Sequence, residues 1–421
     1  MLENLRGALP LMFALGLLFV AGDELTRRGR IYDAMTGQPL ENAIVTLGDA
    51  VARTEANGTF QIRGTGLQLS ARAYGYQRAR VDLAERENGL QEIGLKPLAP
   101  KALYLSFYGI GDRGLRDSAL KLIETTELNA LVIDVKGDRG GIPYKSAIPL
   151  GAQIGAQKII TIRDIDGLLR SLHEKGIYTI ARIVVFKDDL LALARHDVAV
   201  KLATGAVWHD REGLAWTDAF KKEVWDYNIA VAVEAAQHGF DEVQLDYVRF
   251  PDARGLVFSM PNTEENRVRA ISEFLELARK RLRPYNVFLA ADIFGYVCWN
   301  LDDTGIGQTL EKLVPHIDYL SPMLYPSGFH VGIPGITNPV VHPYEIVYRS
   351  LARAKERTGL PPVRFRPWLQ AFRDYAFDRR PFTPREIMQQ IRAAEDFGAN
   401  GWMLWNPNNI YSAEGLSRGY N

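Results

Sequence analysis

Two kinds of hydrophobic pattern divide the chain. Over residues 29–98, short segments in which apolar and polar residues alternate are separated by turn signals such as Thr36-Gly37-Gln38-Pro39 and Asn57-Gly58. A period of two is typical of half-buried strands, so this region is predicted to be all-β. From residue 101, strand-like apolar runs alternate with amphipathic helical stretches, which predicts an α/β domain over residues 101–421.

The α/β region contains eight strand candidates. They cover residues 102–107, 130–136, 178–186, 242–248, 287–293, 317–325, 365–370 and 401–405. Four of the helical stretches between them end at a glycine, as expected of a left-handed helix cap: Gly176, Gly239, Gly359 and Gly398. Eight β/α units predict a closed (β/α)₈ TIM barrel. A doubly wound open sheet is the alternative, which the lack of a Gly-x-Gly-x-x-Gly loop after the first strand disfavours.

Polar residues at the carboxyl ends of the predicted strands are the first candidates for a functional site, since TIM-barrel active sites lie there. Alternation along each strand places Asp134, Asp246 and Asp292 on the inner face, at the ends of the second, fourth and fifth strands. These three are the candidate catalytic residues. The candidate substrate-binding residues are Tyr247, Arg249, Tyr325, Trp368, Gln370, Trp405 and Asn406.

Carboxylates that face a cleft among aromatic and amide side chains are suited to the cleavage of a glycosidic bond. One carboxyl group protonates the leaving oxygen, while the other attacks the anomeric carbon or activates water. Trp and Tyr offer flat apolar faces to sugar rings, and Asn and Gln form hydrogen bonds with hydroxyls. We therefore expect an oligosaccharide or polysaccharide substrate. Arg249 is expected to pair with the Asp246 carboxylate.

Composition and motif content disfavour several other function classes. Lys and Arg together number 50, and so do Asp and Glu; this balance argues against nucleic-acid binding. The seven histidines are scattered without a His-x-x-x-His spacing, so a zinc hydrolase is disfavoured and no metal or cofactor is expected. No serine lies in a Gly-x-Ser-x-Gly elbow, which argues against an esterase.

The amino-terminal segment bears on where the protein works. Residues 8–21 form an uncharged, mostly apolar run of 14 residues, which is short for a membrane span of ~20 residues and suits the core of a signal peptide. Residues 1–22 are predicted to be a signal peptide or an uncleaved anchor that attaches the chain to a membrane; a buried first helix is the alternative. The first two imply an extracytoplasmic protein, which is periplasmic, secreted or anchored. The single cysteine, Cys298, is compatible with that location.

The β-rich region resembles a known accessory domain. The residues that carry the likeness are Gly29-Arg30-Ile31-Tyr32-Asp33, Thr36-Gly37, Pro39-Leu40, Ala43, Val45, Asn57-Gly58-Thr59-Phe60 and Ala73-Tyr74-Gly75-Tyr76. Together they resemble the carboxypeptidase regulatory-like domain, a transthyretin-like β-sandwich. The resemblance implies an extracytoplasmic module without catalytic residues, which positions the enzyme, binds weakly or docks an envelope protein partner.

The α/β region also resembles a known family. The matching runs are Asn129 to Lys136, Gln244 to Pro251 and Ser321 to Pro326, and the run Asp246-Tyr247-Val248-Arg249-Phe250-Pro251 is the most specific part. They resemble a bacterial family of uncharacterised barrel proteins catalogued as glycosyl hydrolases. The resemblance implies a glycosidase, and its relatives suggest a cell-envelope or exopolysaccharide glycan as the substrate.

Roles can be suggested from a second likeness. A nucleophile after the fourth strand and an acid after the fifth resemble the α-amylase-like clan, which would make Asp246 the nucleophile and Asp292 the general acid of a retaining enzyme. That clan commonly has Glu as the acid and an acidic residue near the seventh strand, where this chain has Gln370. Asp134 could supply the missing carboxylate. The open alternatives are a glycan-binding barrel without catalysis and an extracytoplasmic assembly scaffold.

Overall fold

A computed structural model describes residues 24–83 and 89–418 of the chain. The predicted signal peptide or anchor over residues 1–22 lies outside the described residues. Within the part that is described, no helix combines the length and the apolar composition needed to cross a membrane.

The amino-terminal region consists of two sheets, one mixed and one antiparallel. Its strands are β1 Leu25–Asp33, β2 Ile44–Leu47, β3 Ala50–Arg53, β4 Thr59–Gly64, β5 Gln68–Arg72, β6 Ala79–Asp82 and β7 Gln91–Leu95. One sheet has the order β4-β1-β7 and the other β3-β2-β5-β6. Side chains from both sheets, including Ile31, Val45 and Phe60, form one buried cluster. The all-β amino-terminal domain is therefore confirmed, whereas its carboxypeptidase regulatory-like identity stays a prediction.

The predicted TIM barrel is confirmed. Eight parallel strands close in the order β8-β9-β10-β12-β14-β15-β16-β17. Their bounds are β8 Lys101–Leu105, β9 Ala130–Lys136, β10 Tyr178–Val184, β12 Glu242–Asp246, β14 Phe288–Phe294, β15 Tyr319–Met323, β16 Trp368–Gln370 and β17 Trp402–Trp405. Two short strands outside the barrel, β11 Lys201–Leu202 and β13 Leu256–Val257, pair with each other and join the loops that follow β10 and β12.

Helices surround the barrel. Their bounds are α1 Arg113–Thr125, α2 Pro149–Gln153, α3 Ile165–Glu174, α4 Asp189–Ala194, α5 Lys222–His238, α6 Glu264–Leu282, α7 Leu310–Leu313, α8 Pro343–Thr358 and α9 Pro384–Phe397. Leu131, Ile133 and Leu245 pack outward against this layer. The alternate residues, such as Val132, face the barrel interior. Small Ala290 is also inside, two residues before Asp292.

The amino-terminal domain packs against the end of the barrel where the strands begin. The Arg72 guanidinium forms a buried ion pair with Asp318, at 2.8 Å, immediately before β15. The Tyr74 ring lies edge-on against Tyr319, with 6.0 Å between the centroids. Arg78 donates to the carbonyl oxygens of residues 239 and 240, just before β12. The opposite end, where the strands finish, is therefore the end that remains available for a site.

Candidate active site

A single arginine organises the polar side chains at the carboxyl ends of the strands. Arg182 on β10 is buried, and its guanidinium points towards β9 on one side and β12 on the other. Nε and Nη2 donate to Asp246 Oδ2 at 2.9 and 2.6 Å. Nη1 donates to Asp134 Oδ1 at 2.7 Å. One fixed positive charge thus holds two of the three candidate catalytic carboxyl groups at a defined spacing.

Asp134 has its second oxygen satisfied as well. Oδ2 accepts hydrogen bonds from the Tyr104 hydroxyl at 2.7 Å and the Phe107 amide at 3.2 Å. Burial raises the pKa of Asp134 to about 6, and this effect outweighs the lowering by the neighbouring Arg182 charge. Asp134 can therefore change its protonation state near neutral pH.

Asp292 lies beside Asp246 in the sheet register. Leu245 pairs with Ala291 on β12 and β14, so the next residues of the two strands are Asp246 and Asp292. Asp292 Oδ1 accepts from the Trp368 indole at 2.8 Å, and Oδ2 has no hydrogen-bond partner among the described residues. Burial, reinforced by the negative charge of Asp246, raises the pKa of Asp292 well above its usual range.

The backbone after Asp246 departs from ordinary strand geometry. Tyr247 has a φ of 49°, in the left-handed region that a bulky residue rarely adopts. In this conformation the Tyr247 amide donates to Asp246 Oδ1 at 2.6 Å. Strained backbone of this kind persists where surrounding structure enforces it, and it clusters at functional sites. Here it holds the Asp246 oxygen that Arg182 does not bind.

Two adjoining cavities open over these groups. The smaller, of about 210 Å³, is lined by residues that include Arg182, Asp246, Tyr325 and Trp368. The larger, of about 530 Å³, is lined by residues that include Tyr104, Tyr108, Asp134 and Asp138. Trp405 lines both cavities. Its ring stacks on Tyr104, with 3.9 Å between the centroids, and the Arg182 guanidinium lies 4.8 Å from the Trp405 centroid. The two cavities therefore adjoin at Trp405, and together they are referred to as the cleft.

Some predicted substrate-binding residues support the walls of this cleft. Gln370 accepts from the Ser327 amide at 3.0 Å and donates to the Ser327 hydroxyl at 2.7 Å. Asn406 donates to the carbonyl oxygens of Ala371 and Ile410, at 2.7 and 2.9 Å. These hydrogen bonds fix the loops that follow β15, β16 and β17.

The expected pairing of Arg249 with Asp246 is wrong. Arg182 contacts the Asp246 carboxylate, whereas the Arg249 guanidinium lies 5.1 and 4.9 Å from the ring centroids of Trp216 and Tyr247. The physical reason is the turn at Tyr247, which ends the strand and redirects the chain before Arg249. Arg249 still lines the smaller cavity.

Three site residues escaped the sequence analysis: Tyr104, Asp138 and Arg182. Arg182 carried a usable signal, since it is the one charged residue within the otherwise uncharged strand Tyr178–Val184. A charged residue in a buried strand needs a partner, and the inner face of the strand points to one. Within residues 24–83 and 89–418, no cluster of three or more His, Cys, Asp or Glu side chains is arranged to hold a metal ion.

Comparison with known proteins identifies the barrel. Residues 102–411 match a family described as "Putative glycosyl hydrolase domain". The chain belongs to this family. The resemblance inferred from the run that begins at Asp246 is thereby confirmed. No curated protein matches the sequence.

One solved structure agrees with the barrel fold, and two others are similar to parts of the chain at lower TM-scores. The glycoside hydrolase domain of PgaB (BpsB) from Bordetella bronchiseptica is 14% identical, with a TM-score of 0.54, over 76% of this chain and 99% of that one. A hypothetical protein from Ruminiclostridium thermocellum is 38% identical, over 45% of this chain and 96% of that one, with a TM-score of 0.40. A chitinase from Chromobacterium violaceum is 11% identical, over 75% and 96%, with a TM-score of 0.45.

Proposed function

We propose that the protein is a retaining glycoside hydrolase that cleaves a polysaccharide, with Asp246 as the carboxylate that acts on the anomeric carbon. The observation that carries this proposal is the position of Asp246. Its carboxylate lines the smaller cavity, is held by Arg182 and the Tyr247 amide, and lies beside Asp292, whose pKa is raised by burial. A pair of carboxyl groups whose environments separate their protonation states is the usual basis of acid and base roles in such enzymes.

Asp246 meets the physical requirements of a nucleophile. Arg182 and the Tyr247 amide fix the carboxylate, so little orientation entropy is lost when it attacks. Tyr325 and Trp368 line the same cavity and give it apolar walls beside the carboxylate. The raised pKa of Asp292 favours its uncharged form, which limits the negative charge beside the Asp246 carboxylate.

Asp292 fits a supporting role better than the role of leaving-group acid. Its side chain is 1% exposed and is bonded to the Trp368 indole. Contact with a glycosidic oxygen would require the displacement of that indole. We therefore assign Asp292 to the control of charge around Asp246, and Asp134 to the fixing of Arg182 between the two strands.

The cleft suits an extended sugar chain. Trp405 lies at its centre, Tyr108 lines the larger cavity with 58% of its surface exposed, and Tyr375 lines the smaller cavity with 53% exposed. Flat aromatic faces at the centre and on both sides suit several consecutive sugar rings. The predicted signal segment would place the reaction outside the cytoplasm, where cell-envelope glycans and exopolysaccharides occur.

The test is a screen of the purified chain against soluble bacterial polysaccharides, with the release of reducing ends as the readout. We expect the Asp246→Asn variant to lose at least ~10³-fold in rate on the polysaccharide that is cleaved, since both the nucleophile and its charge are removed. Circular dichroism would show that the variant is folded. Full activity in Asp246→Asn would overturn the assignment.

A glycan-binding barrel without catalysis is the second candidate, and the burial of Asp292 favours it because the sequence-predicted acid does not reach the cleft. In that case no polysaccharide would be cleaved, yet one would retard the protein in affinity electrophoresis. Trp405→Ala would abolish the retardation, and Asp246→Asn would leave it nearly unchanged.

A further inference from the structure

We propose that Asp138, in the turn after β9, is the general acid and base of the proposed glycosidase. This inference rests on the proposed function, because it names the partner that Asp246 requires. In a retaining mechanism the second carboxyl group gives a proton to the leaving oxygen and later takes one from water. Asp138 meets the requirements of distance and exposure, whereas Asp292 is near Asp246 but buried.

The distance follows from a shared contact. Arg182 Nη2 lies 2.6 Å from Asp246 Oδ2 and 3.4 Å from Asp138 Oδ1. These two oxygens are therefore at most 6.0 Å apart, the sum of the two distances. Retaining glycosidases hold their carboxyl groups ~5–5.5 Å apart, and inverting enzymes hold them ~6.5–9.5 Å apart. The limit is compatible with the first class and shorter than the second.

Exposure distinguishes Asp138 from the other carboxyl groups near Arg182. Its side chain is 39% exposed, compared with 4% for Asp134 and 7% for Asp246. Asp138 lines the larger cavity and Asp246 lines the smaller. A sugar chain that passes from one cavity to the other crosses between the two carboxyl groups, which is where a scissile bond must lie.

The turn that carries Asp138 is held rigidly. The Gly140 amide donates to the Gly137 carbonyl at 2.9 Å, and Gly140 has a φ of 87°. A Cβ atom at Gly140 would lie 2.0 Å from Asp188 Oδ1, so only glycine fits this close approach. Asp188 in turn forms a fully buried ion pair with Lys136 at 2.7 Å. That ion pair fixes the Asp188 side chain against which Gly140 packs, and therefore positions the turn that carries Asp138.

The reaction balances with these two groups and one water. Protonated Asp138 transfers its proton to the glycosidic oxygen as the bond from that oxygen to the anomeric carbon breaks. Asp246 forms an ester bond to the anomeric carbon. Water then attacks this carbon, the Asp138 carboxylate takes a proton from the water, and the bond to Asp246 breaks. The products are two shorter sugar chains, with the original anomeric configuration retained.

The experiment compares leaving groups in the full-length Asp138→Asn variant. On the polysaccharide from which the wild type releases most reducing ends, we expect a loss of ~10²–10⁴-fold in kcat/KM, the usual contribution of a general acid. With the phenyl glycoside of its monosaccharide unit the loss should be similar. With the 2,4-dinitrophenyl glycoside, whose leaving group needs no proton, glycosylation should lose less than ~10-fold, and added azide should accelerate turnover.

A matched control separates this role from a general effect of charge. Asp117 is also an exposed aspartate at 3.4 Å from an arginine, Arg113, but it lies on the outer helix α1. Asp117→Asn should hydrolyse all three substrates at the wild-type rate. Equal losses on the phenyl and dinitrophenyl glycosides in Asp138→Asn, or unchanged hydrolysis of the polysaccharide, would overturn the inference while leaving Asp246 as the nucleophile. Hydrolysis that persists in Asp246→Asn, or no hydrolysis by the wild type, would instead overturn the proposed function and this inference with it.

Discussion

Two buried guanidinium–carboxylate clusters occupy opposite ends of the same barrel. At the end where the strands begin, Arg366 donates to Glu242 at 2.5 Å, and the Tyr178 hydroxyl donates to the same carboxylate at 3.0 Å. At the end where they finish, Arg182 holds Asp246. Glu242 and Asp246 lie on the same face of β12, four residues apart. The chemistry of the two clusters is alike, and their surroundings differ.

Access to solvent separates them. The lower cluster, which is the one of Arg366 and Glu242, is enclosed. Glu242 is fully buried, and the amino-terminal domain covers that end of the barrel through Arg72 and Tyr74. The upper cluster, which is the one of Arg182 and Asp246, lies at the floor of two cavities. A buried ion pair is therefore not by itself a sign of function; the same groups become a candidate site where a substrate can reach them.

The largest effect on stability is expected from the lower cluster. Arg366→Met leaves Glu242 without its cation in a sealed interior, which should lower the free energy of unfolding by about 3–5 kcal/mol. Arg182→Met should cost less, because water in the cavities can solvate Asp246, but it should remove most of the hydrolysis per folded molecule. Urea unfolding and reducing-end assays on both variants measure the comparison. The same stability loss with undiminished hydrolysis in Arg182→Met would contradict it.

The raised pKa of Asp134 makes stability depend on pH at the upper cluster. The native pKa is about 6, against an ordinary value of 3.8. The folded state therefore binds more protons between these values, so Asp134 stabilises at low pH and this contribution is lost as the pH rises from about 4 to 6. The loss amounts to about 3 kcal/mol at most. In Asp134→Asn the free energy of unfolding should therefore change less between about pH 4 and 6 than in the wild type. The same pH dependence in both proteins would count against the raised pKa of Asp134.

The contact between the two domains should affect stability without affecting catalysis. Tyr74→Ala removes an aromatic edge contact with Tyr319 and a hydroxyl that lies 3.4 Å from Asp318. We expect a loss of about 2 kcal/mol in the free energy of unfolding. Hydrolysis per folded molecule should stay at the wild-type level, since the contact lies at the opposite end from the cleft. A changed kcat would show that the covered end communicates with the open one.

The smallest effects belong to the outer parts of the cleft. Tyr108→Ala should raise KM for the polysaccharide about fivefold with kcat retained, which corresponds to ~1 kcal/mol of binding free energy. Tyr348→Ala is the matched control, because Tyr348 is also exposed but lies on the outer helix α8. Equal KM values for both variants would show that Tyr108 does not contribute to substrate binding.

Strand alternation alone brought Asp134, Asp246 and Asp292 to one end of the barrel, because the period of two and the count of eight strands determine which residues face inward. It could not identify Arg182 as the partner of Asp246, since the two residues are 64 positions apart and meet only when β10 and β12 pair. Nor could it show that Arg249 does not pair with Asp246, because the direction of the Arg249 side chain depends on the positive φ of Tyr247.

The burial of each carboxyl group could not be predicted from the sequence either. Asp292 and Asp138 are both aspartates near strand ends, yet Asp292 is enclosed by Trp368 while Asp138 is carried into the cleft by a glycine turn. Such differences arise from packing between residues that are distant along the chain. Alternation gives the face of a strand but not the exposure of the side chain at its end.

The most direct test of the account compares two carboxylate-to-amide changes on β12. Asp246→Asn and Glu242→Gln each remove one negative charge beside a buried arginine, at opposite ends of one strand. Reducing-end release per folded molecule should fall at least ~10³-fold in Asp246→Asn. It should stay within about twofold of the wild type in Glu242→Gln, since a structural ion pair takes no part in the chemistry. Equal rates for the two variants would contradict the claim that access to the cleft makes the upper cluster the active site.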